Sequence, residues 1–262
     1  MRSKTEELLY MLLWASQIAS RPTFRNLTDS FEAWAYRSGF HRQLAELEKK
    51  ELLETQGHSA GDRVHRLTEA GRLLALGGRD PVACWKRRWD GKWRMILFDV
   101  PQKQASDRVR LRRSLADRKF GYLQNSVWIT PDPLNRERDA LGAGPVDVGS
   151  LILLEARPCA GERDAEIVAG AWNFNAINEG YNRHTQVLQS LPEQATTDDV
   201  AGKRLHRWFC EERQAWNYVM SLDPLLPKRL HPADYRGPKA WQHRLEKMAE
   251  AGRKMRCFQK GV

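Results

Sequence analysis

Trp93-Arg94-Met95-Ile96-Leu97-Phe98-Asp99-Val100-Pro101 is a nearly continuous apolar run of strand length, closed by a proline. A short run of large and branched side chains predicts a buried strand, and Pro101 cannot continue its ladder. Residues 106–119 then read as a helix, with Val109, Leu111, Leu115 and Ala116 as its apolar positions. Residues 120–130 supply one or two strands, 133–141 a short helix and 146–155 a closing strand. The order β-α-β-(β)-α-β predicts a ferredoxin-like sandwich over residues 85–157. Its first helix carries Arg108, Arg110, Arg112, Arg113, Arg118 and Lys119. Such a run serves as a solvated face, as a contact to DNA backbone, or as a partner for acids on another subunit.

Upstream, Gly77-Gly78-Arg79-Asp80-Pro81 breaks the pattern and reads as a linker. Residues 4–19 place Leu8, Leu12, Ala15 and Ala19 on one helical face, and Pro22 follows. A second helix fits residues 27–35, with Phe31 and Trp34 inward. A third fits 38–50, with Phe40, Leu44 and Leu47 as its buried stripe. Leu52 to Thr55 is a strand, 58–62 a turn by composition, and Arg63 to Leu67 the return strand. Thr68 then has the chemistry of an N-cap for a helix reaching Leu76. Three helices followed by a hairpin is the order of a winged helix-turn-helix over residues 1–77. In that fold the third helix enters the major groove and the hairpin touches the flanking backbone. The expected DNA-binding residues are therefore Arg37, Ser38, His41, Arg42, Lys49 and Lys50 on the helix, with Arg63, His65 and Arg66 on the hairpin. Long cationic side chains there reach phosphates or base edges, and a purely solvated face is the competing reading.

Residues 163–262 are mainly helical, with a Pro-rich turn region from Pro224 to Pro238. Trp172, Phe174, Ile177 and Tyr181 fit one packed face, and Leu205, Trp208, Phe209, Trp216 and Val219 another. An aromatic stripe at helical spacing is ordinarily core. Arg204, Arg207 and Arg213 stand among these positions.

The chain has 262 residues and a net charge of +10, a balance that favours polyanions because each neutralised phosphate releases counterions. Cys84, Cys159, Cys210 and Cys257 are far apart and have no zinc spacing, so free thiols in a reducing compartment are expected. No apolar run reaches membrane length, and the expected location is the cytoplasm. The fold class is α+β: a winged helix-turn-helix, a central ferredoxin-like α/β sandwich and a mainly helical C-terminal domain.

Several stretches resemble a known family. Trp89-Asp90-Gly91-Lys92-Trp93, Asp99-Val100-Pro101, the spacing Arg108-x-x-Leu111-Arg112-x-x-Leu115, and Phe120-Gly121-Tyr122-Leu123-Gln124-Asn125-Ser126-Val127-Trp128-Ile129-Thr130-Pro131 resemble the middle domain of PaaX-type regulators. Leu222-Asp223-Pro224-Leu225-Leu226-Pro227 and Leu230-His231-Pro232-Ala233-Asp234-Tyr235-Arg236-Gly237 resemble that family's two C-terminal motifs. His231 and Tyr235 stand where the family often has Leu and Trp. Lys50-Glu51 stand where many members have Gly before the first wing strand. The resemblance implies a dimeric repressor of a catabolic operon, binding double-stranded DNA and relieved by a small acidic effector such as an acyl-coenzyme A. Phenylacetyl-coenzyme A plays that part in the founding members.

The middle segment also resembles the small CRISPR-associated adaptation nuclease through Phe98-Asp99-Val100 and Leu123-Gln124-Asn125-Ser126-Val127-Trp128. That resemblance makes Asp99 a candidate metal ligand, with two copies related by a two-fold axis sharing Mg²⁺. A metal-dependent nuclease and a non-catalytic nucleic-acid-binding adaptor are thus the rival functions. The third reading of Asp99 is a strand-end carboxylate that only caps a turn or pairs with an arginine.

Overall fold

A computed structural model describes Thr5, Leu9 and residues 41–56, 64–99, 105–125, 127–134, 150–193 and 199–257. The expected helix over 27–35, most of that over 4–19, the turn at 58–62 and most of the helix over 133–141 lie outside the described residues. In chain order the first elements are helix α1 (His41–Lys49), strands β1 (Leu53–Gln56) and β2 (Val64–Leu67), and helices α2 (Glu69–Ala75) and α3 (Pro81–Lys86). Then follow β3 (Trp93–Asp99), α4 (Ala105–Asp117), β4 (Gly121–Gln124), β5 (Val127–Thr130) and β6 (Ser150–Ala156). The chain closes with α5 (Asp164–Ala171), α6 (Phe174–Gln189), α7 (Asp199–Leu222), a 3-10 turn (Lys228–Leu230) and α8 (Gly237–Cys257). These elements form two compact units, each assembled from separated segments.

One unit comprises Pro81–Glu179 and Val219–Arg236. Its sheet has the order β4-β5-β3-β6, with every pairing antiparallel. Numbered within the unit, the strands run second, third, first, fourth, which is the order a ferredoxin-like β-α-β-β-α-β chain produces. Ile96 and Phe98 of β3 meet Leu111 and Leu115 of α4, together with Phe120 and Trp128. Each of these buried side chains contributes up to roughly 1.5–3 kcal/mol by leaving water. Val109 and Ala116 do not join them: both are exposed, Val109 by 55%. The reason is angular. Leu111 and Leu115 are four apart on one face, whereas Val109 stands two residues, about 200°, from Leu111.

The expected linker at Gly77 to Pro81 is mostly two helix ends. Gly77 and Gly78 take φ of 90° and 88°. Their N–H groups donate to Leu74 O and Leu73 O, closing α2 with the paired bonds of a Schellman ending. Pro81 then opens α3, where its missing N–H costs nothing.

The other unit comprises Met1–Asp80, Gly180–Tyr218 and Gly237–Val262. Its core joins Leu9, Leu44, Leu47, Leu52, Leu53 and Leu76 to Leu188, Leu205, Trp208, Phe209, Met248 and Ala251. Trp216 Nε1–H donates to Leu76 O at 3.2 Å. Among these helices lies a fully buried polar cluster. Glu212 Oε1 accepts from Arg244 Nε at 2.7 Å and from His184 Nε2 at 2.8 Å. The Arg244 guanidinium stacks over Trp216, 3.9 Å from its centroid. Burial pushes the Glu212 carboxyl up and pulls the Arg244 guanidinium down, while their mutual attraction opposes both shifts.

Burial, with the positive charges of Arg244 and His243 behind it, lowers the His184 imidazole to about 2. His184 is therefore neutral in the folded protein and protonates near 6.5 when unfolded. Below that pH the unfolded state holds the extra proton, so stability falls as acid is added and is level above it. His184 contributes a loss of about 2 kcal/mol between pH 7 and pH 5. Urea midpoints at those two pH values check this. Glu212 titrates in both proteins, so the histidine's share is the difference from His184→Gln, which flattens the profile; an unchanged profile would refute the assignment.

Candidate nucleic-acid interface

Helix α1 buries Leu44 and Leu47 and exposes Arg42, Ala45, Glu48 and Lys49. Arg42, Ala45 and Lys49 are spaced i, i+3, i+7, so they form one outward stripe. Neither Arg42 nor Lys49 makes an ion pair among the described residues. Lys50, just past the helix, is different. Its Nζ lies 2.7 Å from Glu46 Oε1, and Glu46 Oε2 also accepts from the Thr5 hydroxyl at 3.0 Å.

The helix ends on Glu51, at φ 56°. Glu51 N–H donates to Glu48 O and Leu52 N–H to Leu47 O, again the Schellman pair. The left-handed conformation favours glycine, so this chain places a costlier residue at its turn into the hairpin. Strands β1 and β2 pair antiparallel from Leu53↔Leu67 to Gln56↔Val64. Thr68 fastens the base of the hairpin. Its N–H donates to Leu52 O at 3.1 Å, its hydroxyl donates to Glu51 O at 2.8 Å, and the same oxygen caps α2 by accepting from Gly71 N–H at 3.0 Å. A Cβ at Gly71 would sit 2.1 Å from Leu52 O, so α2 meets the hairpin only through a residue without a side chain.

Arg66 of β2 is exposed, and its Nε lies 3.7 Å from Glu54 Oε1 across the strands. An exposed pair of that length is weak and leaves the guanidinium available to a phosphate. His41 opens α1 and His65 lies in β2, but their side chains fall outside the described residues, as do Arg37, Ser38 and Arg63. The described part thus gathers Arg42 and Lys49 on one helix face, sets Arg66 on the hairpin that follows, and engages Lys50 in the helix itself. Ala45, between Arg42 and Lys49, was not foreseen, although the i, i+3, i+7 spacing marks it. A methyl group there permits close approach and suits contact with a thymine methyl.

Asp99 is the last residue of β3, exposed and paired in register with Ser150. Magnesium takes a near-octahedral set of oxygens. Among the described residues no group of three or more His, Cys, Asp or Glu side chains is gathered to hold a metal.

The C-terminal motif residues form a clasp. Asp223 is fully buried; its Oδ1 accepts from Leu225 N–H at 2.7 Å and its Oδ2 from the Tyr235 hydroxyl at 2.6 Å. The same Tyr235 oxygen accepts from Trp85 Nε1–H at 3.0 Å. His231 Nε2 is 2.9 Å from Leu226 O, and Trp85, His231 and Phe174 each pack edge-on against Tyr235. Arg94 is similarly engaged. It forks onto Asp90, and that bond chiefly holds the Asp90 carboxyl down at about 2. Gly121 admits no Cβ because the Trp172 ring lies 2.7 Å from where it would be. The motif residues Asp90, Arg94, Gly121, Asp223, His231 and Tyr235 are thus framework, whereas α1 and the hairpin carry cations that face outward.

The chain thus carries a cationic helix face that leads into a clamped hairpin, and a separate unit with ferredoxin-like strand order. Residues 86–168 match the family described as the PaaX protein central Cas2-like domain. The chain is 27% identical over 192 residues to the transcriptional repressor PaaX of Escherichia coli (strain K12), a match covering 71% of this chain and 58% of that protein. The family likeness shown is that of this central domain. Among solved structures it resembles the uncharacterized protein Rv0674 from Mycobacterium tuberculosis, with a TM-score of 0.50 and 24% identity, covering 84% of this chain and 82% of that one. That likeness concerns the fold. Among the described residues no helix is long and apolar enough to cross a membrane.

Proposed function

We propose that the protein is a DNA-binding transcription regulator that lays the Arg42–Ala45–Lys49 face of α1 in the major groove. The β1–β2 hairpin, through Arg66, rests on the flanking backbone. The observation that carries the reading is that outward stripe: two exposed cations flanking a methyl group, without ion pairs among the described residues, at the foot of a clamped hairpin. Kinship with a protein named as a repressor supports repression as the sign of regulation. Two copies on an inverted repeat, in the cytoplasm, complete the scheme. An acyl-coenzyme A is the proposed effector class, with the exposed Arg204 and Arg207 of α7 as anion contacts.

Binding to fragments of the gene's own upstream region, against random DNA, tests the reading. One fragment should give a discrete complex in the nanomolar range, roughly a thousand-fold tighter than random DNA. Affinity should fall steeply with salt, because each phosphate contact releases counterions. Equal weak binding to every fragment would reject the regulator in favour of a nonspecific adaptor. Cleavage dependent on Mg²⁺ would reject it in favour of a nuclease.

A further inference from the structure

Arg108, Arg110, Arg112 and Arg113 all stand on α4. Leu111 and Leu115 set the core side of that helix. By helical angle Val109, Arg113 and Ala116 point away from the core, and all three are exposed. Arg110 flanks this ridge on one side and Arg112 on the other. Arg112 leans over the Tyr122 ring, 5.9 Å from its centroid, and its Nη2–H donates to Asn125 O at 3.0 Å. Tyr122 is itself 42% exposed, so a phenol accompanies a guanidinium already held in place.

A helix face that meets only water ordinarily alternates acids with bases. On α4 one acid, Asp107, engages Arg110. Asp117 follows Arg113 by four residues, yet the two make no ion pair; acid after base is the weaker order at that spacing. Arg113 therefore presents an exposed guanidinium with no carboxylate on it among the described residues.

We propose that the Arg110–Arg112–Arg113 face of α4 is a second nucleic-acid contact, which holds the phosphate backbone of double-stranded DNA without reading its sequence. Side-chain chemistry selects this occupant. A guanidinium fork matches phosphate oxygens two-pronged. Val109 and Ala116 are small enough to let a backbone approach, and they offer a protein partner too little apolar surface for a stable interface. The face adds to the α1 contact proposed above and needs no operator, because backbone is the same in every sequence.

Titration of the full chain with a random-sequence duplex at several salt concentrations tests it. Arg110→Ala with Arg113→Ala should weaken binding about 10-fold and lower the salt slope by about two, since each phosphate contact contributes about 0.9. The upstream fragment should lose affinity by the same factor, leaving discrimination unchanged. Arg110→Lys with Arg113→Lys should keep most of the affinity, because a phosphate also accepts an ammonium. Arg157→Ala with Arg163→Ala removes the same charge from exposed sites outside α4 and should leave the slope near that of the wild type. Unchanged circular dichroism and urea midpoints show that the variants fold. Wild-type affinity and slope in the alanine pair would overturn the proposal, leaving α4 to solvent or an acidic protein. An equal loss in the Arg157 and Arg163 pair would also overturn it, since net charge alone would then explain the effect. If no upstream fragment binds specifically while the α4 pair still loses random DNA, the regulator reading falls and this contact stands.

Discussion

Replacing Arg244 with Leu lowers the unfolding free energy by about 3–5 kcal/mol, one of the largest effects expected of any single change in this chain. The size follows from what stays behind. Arg244, Glu212 and His184 are all fully buried, and Glu212 Oε1 takes bonds from both of the others. Without the guanidinium, Glu212 keeps its burial and loses its countercharge, and Trp216 loses the cation stacked on it. The double substitution Arg244→Leu with Glu212→Leu should cost less than Arg244→Leu alone, because it removes the stranded charge as well. Urea unfolding followed by tryptophan emission measures both, with Trp216 reporting directly from the site. Equal midpoints for wild type and Arg244→Leu would mean that the cluster is not buried as described.

That cluster also marks where sequence reading runs out. Leu44, Leu47, Trp172, Phe174, Ile177, Tyr181, Leu205, Trp208, Phe209, Trp216 and Val219 were all expected inward, and all are buried. Their spacing states a face, and a face needs no partner to be recognised. His184, Glu212 and Arg244 come from three different helices, and no spacing within one helix announces that they meet. The Asp223–Tyr235–Trp85 clasp has the same character, since Trp85 and Tyr235 are 150 positions apart. Its residues were legible as a motif, while the reason for the motif was not. Lys50 is an intermediate case. Glu46 stands four residues before it, a visible helical pair, but a basic helix invites reading every cation as a DNA contact. Val109 differs for a plainer reason: apolar character alone does not set a face, and two positions before Leu111 its side chain leaves the helix about 200° from the buried stripe.

The corresponding effect on function is expected at α1. Changing both Arg42 and Lys49 to Ala should weaken binding to the specific upstream fragment by roughly 100- to 1,000-fold, and binding to random DNA by only about 10-fold. Both side chains leave one exposed stripe, three and four residues to either side of Ala45, so a groove that receives one receives the other. The single substitutions separate their roles. Arginine pairs two-pronged with the guanine edge in the major groove, so Arg42→Ala should narrow the gap between specific and random DNA. A lysine on phosphate carries no sequence information, so Lys49→Ala should weaken all DNA about equally and lower the salt slope by about one. Lys50→Ala serves as the contrast, because its ammonium is already held by Glu46 and its loss should change affinity less than either. Titrations at several salt concentrations distinguish these cases. If Arg42→Ala cuts specific and random binding by the same factor, Arg42 is a backbone contact and sequence is read elsewhere on the chain. If neither substitution changes affinity, α1 is a solvated face and the helix-hairpin module does not dock as proposed.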